Sequence, residues 1–197
     1  MESTEIKEEK MTYKQYAFRW GSIIGFVSFL YYLLGFYTKM EESPMLFDNI
    51  YFILSIGLLI YMLFNYRKIE QGEEIKFKRY LSISFIASIV IALFITIYYW
   101  LRMSVLDPFY FQNVLNLMEE AMKSSPYGDL SMFKDNPRLI PVLKTSYLFT
   151  TFIGSIFGNM IYMLLLSGTM VINARNRKRF YDKYNNKDKD GNSNNNQ

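Results

Sequence analysis

Side chains able to hold a proton, a metal or a nucleophile are scarce in this sequence. It contains no cysteine and no histidine, which removes disulfides, thiol redox centres, Cys or His zinc sites and a histidine general base together. No P-loop and no G-x-S-x-G or H-E-x-x-H pattern occurs. Asp48 and Asp107 lie beside apolar runs, but neither has a recognisable acid-base companion. Asp107 followed by Pro108 reads as a helix N-cap and first helical residue. Asp188-Lys189-Asp190-Gly191 begins like a calcium loop but has no terminal Glu at the required spacing, so no metal site is assigned there. What remains is a set of small and weakly polar residues at helical spacing: Gly21, Gly25, Ser28 and Gly35; Ser84, Ser88 and Ala92; Gly154, Ser155, Gly158 and Asn159. Such residues serve close helix packing or line a polar path. No catalytic, cofactor-binding or metal residue is assigned, and the chain reads as a non-enzyme.

The elements that position these residues follow from charge. Of the 197 residues 51% are hydrophobic, and 17 Phe, 17 Tyr and 2 Trp make 18% aromatic. One residue in five is charged, yet Trp20–Thr38, Asn49–Tyr66, Tyr80–Leu101 and Thr145–Ala174 contain no charge at all. A helix needs about 20 apolar residues to cross the ~30 Å hydrocarbon core of a bilayer. The expected fold is therefore all-α: a polytopic membrane protein with four transmembrane helices over about 20–38, 49–66, 80–101 and 146–172. The membrane domain covers 16–179, after a mixed-charge leader over 1–15. The leader and first run lack the layout of a cleavable signal. The tail over 180–197, rich in Asn, Lys and Asp, is expected to be disordered and cytoplasmic.

Orientation follows from the basic residues. The two termini and the second connection together hold 16 Lys and Arg, whereas the first and third connections hold 6, which places both termini in the cytoplasm. The net charge of +4 belongs to this flanking pattern and to anionic lipid, not to nucleic acid. Trp20, Tyr66 and Tyr80 are expected as aromatic anchors at the inner interface, and Tyr37, Tyr51, Trp100 and Tyr147 at the outer one. The connection over 102–145 is the sizeable extracytoplasmic segment. Within it Val114, Leu117, Met118, Ala121 and Met122 recur at helical spacing after Asp107-Pro108, and Ser124-Ser125-Pro126-Tyr127-Gly128 ends the helix. That helix caps the bundle or docks a partner or the membrane surface; the sequence leaves both open.

At 100° per residue, Gly21, Gly25, Ser28, Tyr32 and Gly35 share one face of the first span, with Ile23, Phe26, Leu30 and Leu34 opposite. In the fourth span Thr151, Gly154, Ser155, Gly158, Asn159 and Tyr162 share a face, with Phe152, Ile156, Phe157, Met160 and Met163 opposite. This predicts the glycine face as the inward one, because small residues let helix backbones approach. The second span, with only Ser55 and Gly57 as small residues, is expected to be the most lipid-exposed. No Asp, Glu, Lys, Arg or His lies well within a span, so the ionisable groups that mark proton relays and ion pathways are missing.

Tyr16-Ala17-Phe18-Arg19-Trp20-Gly21 at the start of the first span, Ile75-Lys76-Phe77-Lys78-Arg79-Tyr80 leading into the third, and Asp107-Pro108 just past it give the chain its likeness to a known group. Over about residues 12–175 it resembles the domain of unknown function 4199 family of small four-helix bacterial inner-membrane proteins. The resemblance implies that architecture and location, and brings no activity, substrate or catalytic residue with it. The expected function is an integral membrane protein acting through helix packing and partner contact, as an accessory subunit or homo-oligomer in the lipid bilayer. The alternative is a small transporter or channel with a path lined by Ser84, Ser88, Ser155 and Asn159.

Overall fold

The structure, a computed structural model, describes residues 11–69, 77–122 and 138–193. Among these every regular element is a helix. Helix α1 (Tyr13–Thr38) starts at a capping box: the Thr12 side chain accepts from the Gln15 backbone N–H, and the Gln15 side chain accepts from the Thr12 N–H. Two of the orphan donors at the helix start are thereby satisfied. The helix ends where Lys39 adopts the left-handed conformation (φ 57°) and its N–H reaches Phe36 O. A non-glycine residue pays roughly 1–2 kcal/mol for that conformation, and it turns the chain into a single 3-10 turn, Met40–Glu42.

Helix α2 (Pro44–Ile69) follows, then α3 (Phe77–Leu101), which runs directly into a π-helical turn, Arg102–Leu106. Helix α4 (Tyr110–Met122) leads to α5, which runs unbroken over Ile140–Ser193. Four helices, α1, α2, α3 and the first part of α5, are long and apolar enough to cross a membrane. The tail, read from the sequence as disordered from 180, is helical through Ser193. No proline or glycine lies between Gly168 and Gly191 to stop a helix that the span has already nucleated.

Helix α3 is the axis of the bundle, packed against α1 on one side and α5 on the other. Gly21 of α1 lies on Ala87 of α3, and Gly25 lies on Ile91. The offset is the same in both pairs, so α1 and α3 run parallel. A core of Tyr16, Ile24, Leu59, Met62, Ile83 and Met163 with their neighbours joins all four spans. The Tyr16 hydroxyl donates to Met62 O at 2.7 Å within it, tying α1 to α2.

Three details differ from the sequence expectation. The fourth span, not the second, is the least enclosed: 17% of its apolar window is buried, against 22% for α2 and 50% for α3. The reason is local, since α2 sends Leu59, Met62, Leu63 and Tyr66 into the core. Tyr66 and Tyr80, expected as interface anchors, are buried against each other and Tyr16; their rings face the bundle, while Tyr37 and Trp100 are exposed. Helix α4 packs through Phe111 and Leu115 onto Met103, Leu143 and Tyr147. The expected apolar row of Val114, Leu117 and Met118 is shifted outward, leaving Leu117 and Met118 exposed. Ser124 to Gly128, the expected end signal, lies outside the described residues, as do the leader residues 1–10.

Candidate functional site

The small residues of α1 and α3 are brought together. Gly21, Gly25, Ser28 and Gly35 are buried, and so are Ser84, Ser88 and Ala92. A Cβ at Gly21 would stand 3.0 Å from Ala87 Cα and 3.1 Å from its carbonyl oxygen, a backbone contact that cannot yield by side-chain rotation. At Gly25 it would meet the Phe94 ring at 2.5 Å, and at Gly35 the Phe47 ring. Tyr51 donates to Ser28 Oγ at 3.3 Å. Ser84 and Ser88 have no exposed surface, and their hydroxyls have no hydrogen-bond partner among the described residues.

The small residues of α5 are not brought to them. Among the described residues, the nearby backbone of α5 itself apart, Gly154 and Gly158 have no heavy atom within 4 Å of where a Cβ would stand. The Asn159 amide donates to Ser155 O at 2.9 Å, back into its own helix. Inside the chain α5 packs through Met163, Leu166, Ser167 and Met170; of these Met163 is expected on the outward face, whereas Phe157, also expected outward, is exposed. The expected inward face of the fourth span is thus corrected. Methionine fills the irregular space beside α3, and the glycines turn away from it.

A second cluster was not anticipated. At the end of the bundle that carries α4, the 3-10 turn after Lys39 presents Glu41 to Arg102, and the two form an ion pair with side chains only 16% exposed. Tyr98 lies one helical turn before Arg102 on the same face; its hydroxyl donates to Glu41 Oε1 at 2.7 Å and accepts from Arg102 Nη1 at 3.4 Å. The guanidinium lies over the Tyr110 ring, 4.0 Å from its centroid, and 5.7 Å from that of Phe36. The π-helical turn closes with the Asp107 N–H on Arg102 O at 2.8 Å, so Arg102 belongs to the helical end of α3, whereas the sequence reading opened a loop there.

Asp107 and Pro108 sit at this junction. The Asp107 carboxylate accepts from the Phe109 N–H at 3.1 Å, and the regular helix begins at Tyr110, two residues later than the expected start at Pro108. Tyr110 and Tyr147 share a 3.2 Å hydroxyl contact. Burial, then that contact, pushes the Tyr110 hydroxyl far above the usual phenol range, so it stays protonated. The cluster borders a cleft of about 640 Å³ lined by Tyr32, Phe47, Asp48, Tyr99, Arg102 and Tyr110 among others. Glu41 and Arg102 are 61 positions apart in sequence. The available signal was that both lie in connections at one end of the bundle, beside tyrosines. Among the described residues no three acidic side chains converge as a metal site.

Against known proteins, residues 19–172 match a family described as Protein of unknown function (DUF4199). No curated protein and no solved structure matches the chain.

Proposed function

The chain belongs to the DUF4199 family, and from that premise we propose that it is a non-enzymatic membrane protein acting by helix contact, with α5 as its contact surface. The partner is a second copy or an unrelated membrane subunit. One observation carries this reading: Gly154 and Gly158 are open while the equally spaced Gly21 and Gly25 are filled by α3. Lipid gains nothing from a glycine, whereas another helix gains close van der Waals contact and backbone approach. The proposed setting is a bacterial inner membrane with both termini in the cytoplasm, supported by the 16 to 6 division of Lys and Arg. On that orientation α4 and the Glu41–Arg102 pair lie on the extracytoplasmic side. A path lined by Ser84, Ser88, Ser155 and Asn159 is the weaker reading, because Ser84 and Ser88 have no exposed surface.

The cysteine-free sequence makes the test direct. Gly158→Cys, treated in native membranes with a thiol reagent carrying a photoreactive arm, should form a crosslinked dimer or a stoichiometric adduct with one other protein; Met163→Cys, buried in the chain's own core, should form neither. Gly158→Leu should abolish the association in mild detergent and leave the thermal midpoint of the separated chain unchanged. A Gly158→Cys protein that crosslinks to nothing, and a wild type that purifies from membranes as a lone monomer, would overturn the proposal.

A further inference from the structure

We propose that the cleft at the α4 end binds an ammonium group, with the rings of Tyr32, Phe47 and Tyr99 as its walls and Asp48 as its counter-charge. The cleft's volume of about 640 Å³ falls within the roughly 300–1,000 Å³ of small-molecule sites. Its walls are aromatic and contiguous: Tyr32 stands 5.6 Å from Phe47 and 6.0 Å from Tyr99, centroid to centroid. The negative face of an aromatic ring attracts cations, and cages of such rings are suited to organic ammonium groups. The cluster already holds one cation in this way, since the Arg102 guanidinium lies over Tyr110.

The charges around the cleft separate into used and unused. Glu41 is committed to Arg102 and Tyr98. Asp48 lines the same cleft, is exposed, and makes no hydrogen bond or ion pair among the described residues. An exposed carboxylate that lines a ring-walled cleft offers an incoming ammonium its Coulomb partner, while the rings supply the contact. A soluble amine and the headgroup of a zwitterionic lipid present the same ammonium chemistry here.

The test uses full-length protein in uncharged detergent, titrated with tetramethylammonium against sodium at equal ionic strength, with the thermal midpoint as readout. In parallel the protein is placed in nanodiscs of phosphatidylglycerol with increasing phosphatidylethanolamine. A saturable rise with tetramethylammonium identifies a soluble ligand, and a rise confined to phosphatidylethanolamine identifies a lipid headgroup; either supports the site. Asp48→Asn should weaken the apparent affinity at least tenfold, whereas Asp107→Asn, an acid outside the cleft, should bind as the wild type does. No saturable response in either arm, or an Asp48→Asn protein with wild-type affinity, overturns the proposal. The site stands apart from the α5 contact, so Gly158→Leu should leave ammonium binding intact.

Discussion

Gly21 and Gly25 on α1 and Gly154 and Gly158 on α5 have the same four-residue spacing and opposite surroundings. The first pair is closed over by Ala87, Ile91 and Phe94, and the second has room for a Cβ among the described residues. A small-residue face therefore states that a close approach is permitted without stating which helix makes it. In α1 the approaching helix is α3; in α5 the chain's own packing uses Met163, Ser167 and Met170 on another side of the helix.

The largest effect should sharpen this difference. Gly21→Leu forces a branched side chain into the Ala87 backbone, where no rotamer relieves it. Overpacking typically costs about 1–3 kcal/mol, and more where backbone must move, so this variant should fail to give a folded, monodisperse protein in detergent. Next comes the lock at the α4 end of the same α1–α3 pairing. Glu41→Ala leaves Arg102 without its carboxylate, and breaking a buried pair costs roughly 3–5 kcal/mol; at 16% exposure water softens this to about 2–3 kcal/mol. A double-mutant cycle with Arg102→Met, followed by thermal denaturation, should return much of the loss, because the orphaned charge has gone.

Smaller and opposite in sign is Ser88→Ala. It removes a hydroxyl buried without a hydrogen-bond partner among the described residues, a group that costs about 1–3 kcal/mol to bury unpaired, so stability should hold or rise by about 1 kcal/mol. A clear loss would show that this hydroxyl does have a partner in the membrane and would reopen the polar-path reading. The smallest effect on the isolated chain belongs to Gly158→Leu, within about 0.5 kcal/mol as for an open surface position. Should it destabilise the separated monomer as Gly21→Leu does, the contrast between the two glycine pairs collapses.

The four spans were legible because charge is excluded from them and because a helix satisfies its own backbone in lipid. The inward rotation of α5 was not, since Phe157 and Met163 are both apolar and lipid accepts either, so polarity could not choose between them. Helix α4 was legible as a helix but not in its facing: its apolar arc runs from Leu117 through Val114 to Phe111 and Leu115, and only contact with Met103 and Tyr147 decides which edge is buried. The cleft was hidden for a different reason. Its parts come from the ends of α1 and α3 and from the first turns of α2 and α4, and what joins them is a left-handed Lys39 and a π-helical turn at Arg102, neither of which has a residue signature in this chain.

The parallel pairing of α1 with α3 also has a consequence for biosynthesis. Gly21 and Ala87 lie 66 residues apart, so at about 5–20 residues per second of synthesis α1 waits about 3 to 13 s in the bilayer before its mate arrives. During that interval its glycine face is open to any passing helix. Only α2 emerges in time to occupy it, and the Tyr16–Met62 hydrogen bond is a native contact available to hold the nascent hairpin until α3 displaces lipid from the seam. Slowing translation between residues 67 and 87 should lengthen that exposure and raise the fraction of chains captured by quality-control proteases, a cost written into the order of the helices and not into any one residue.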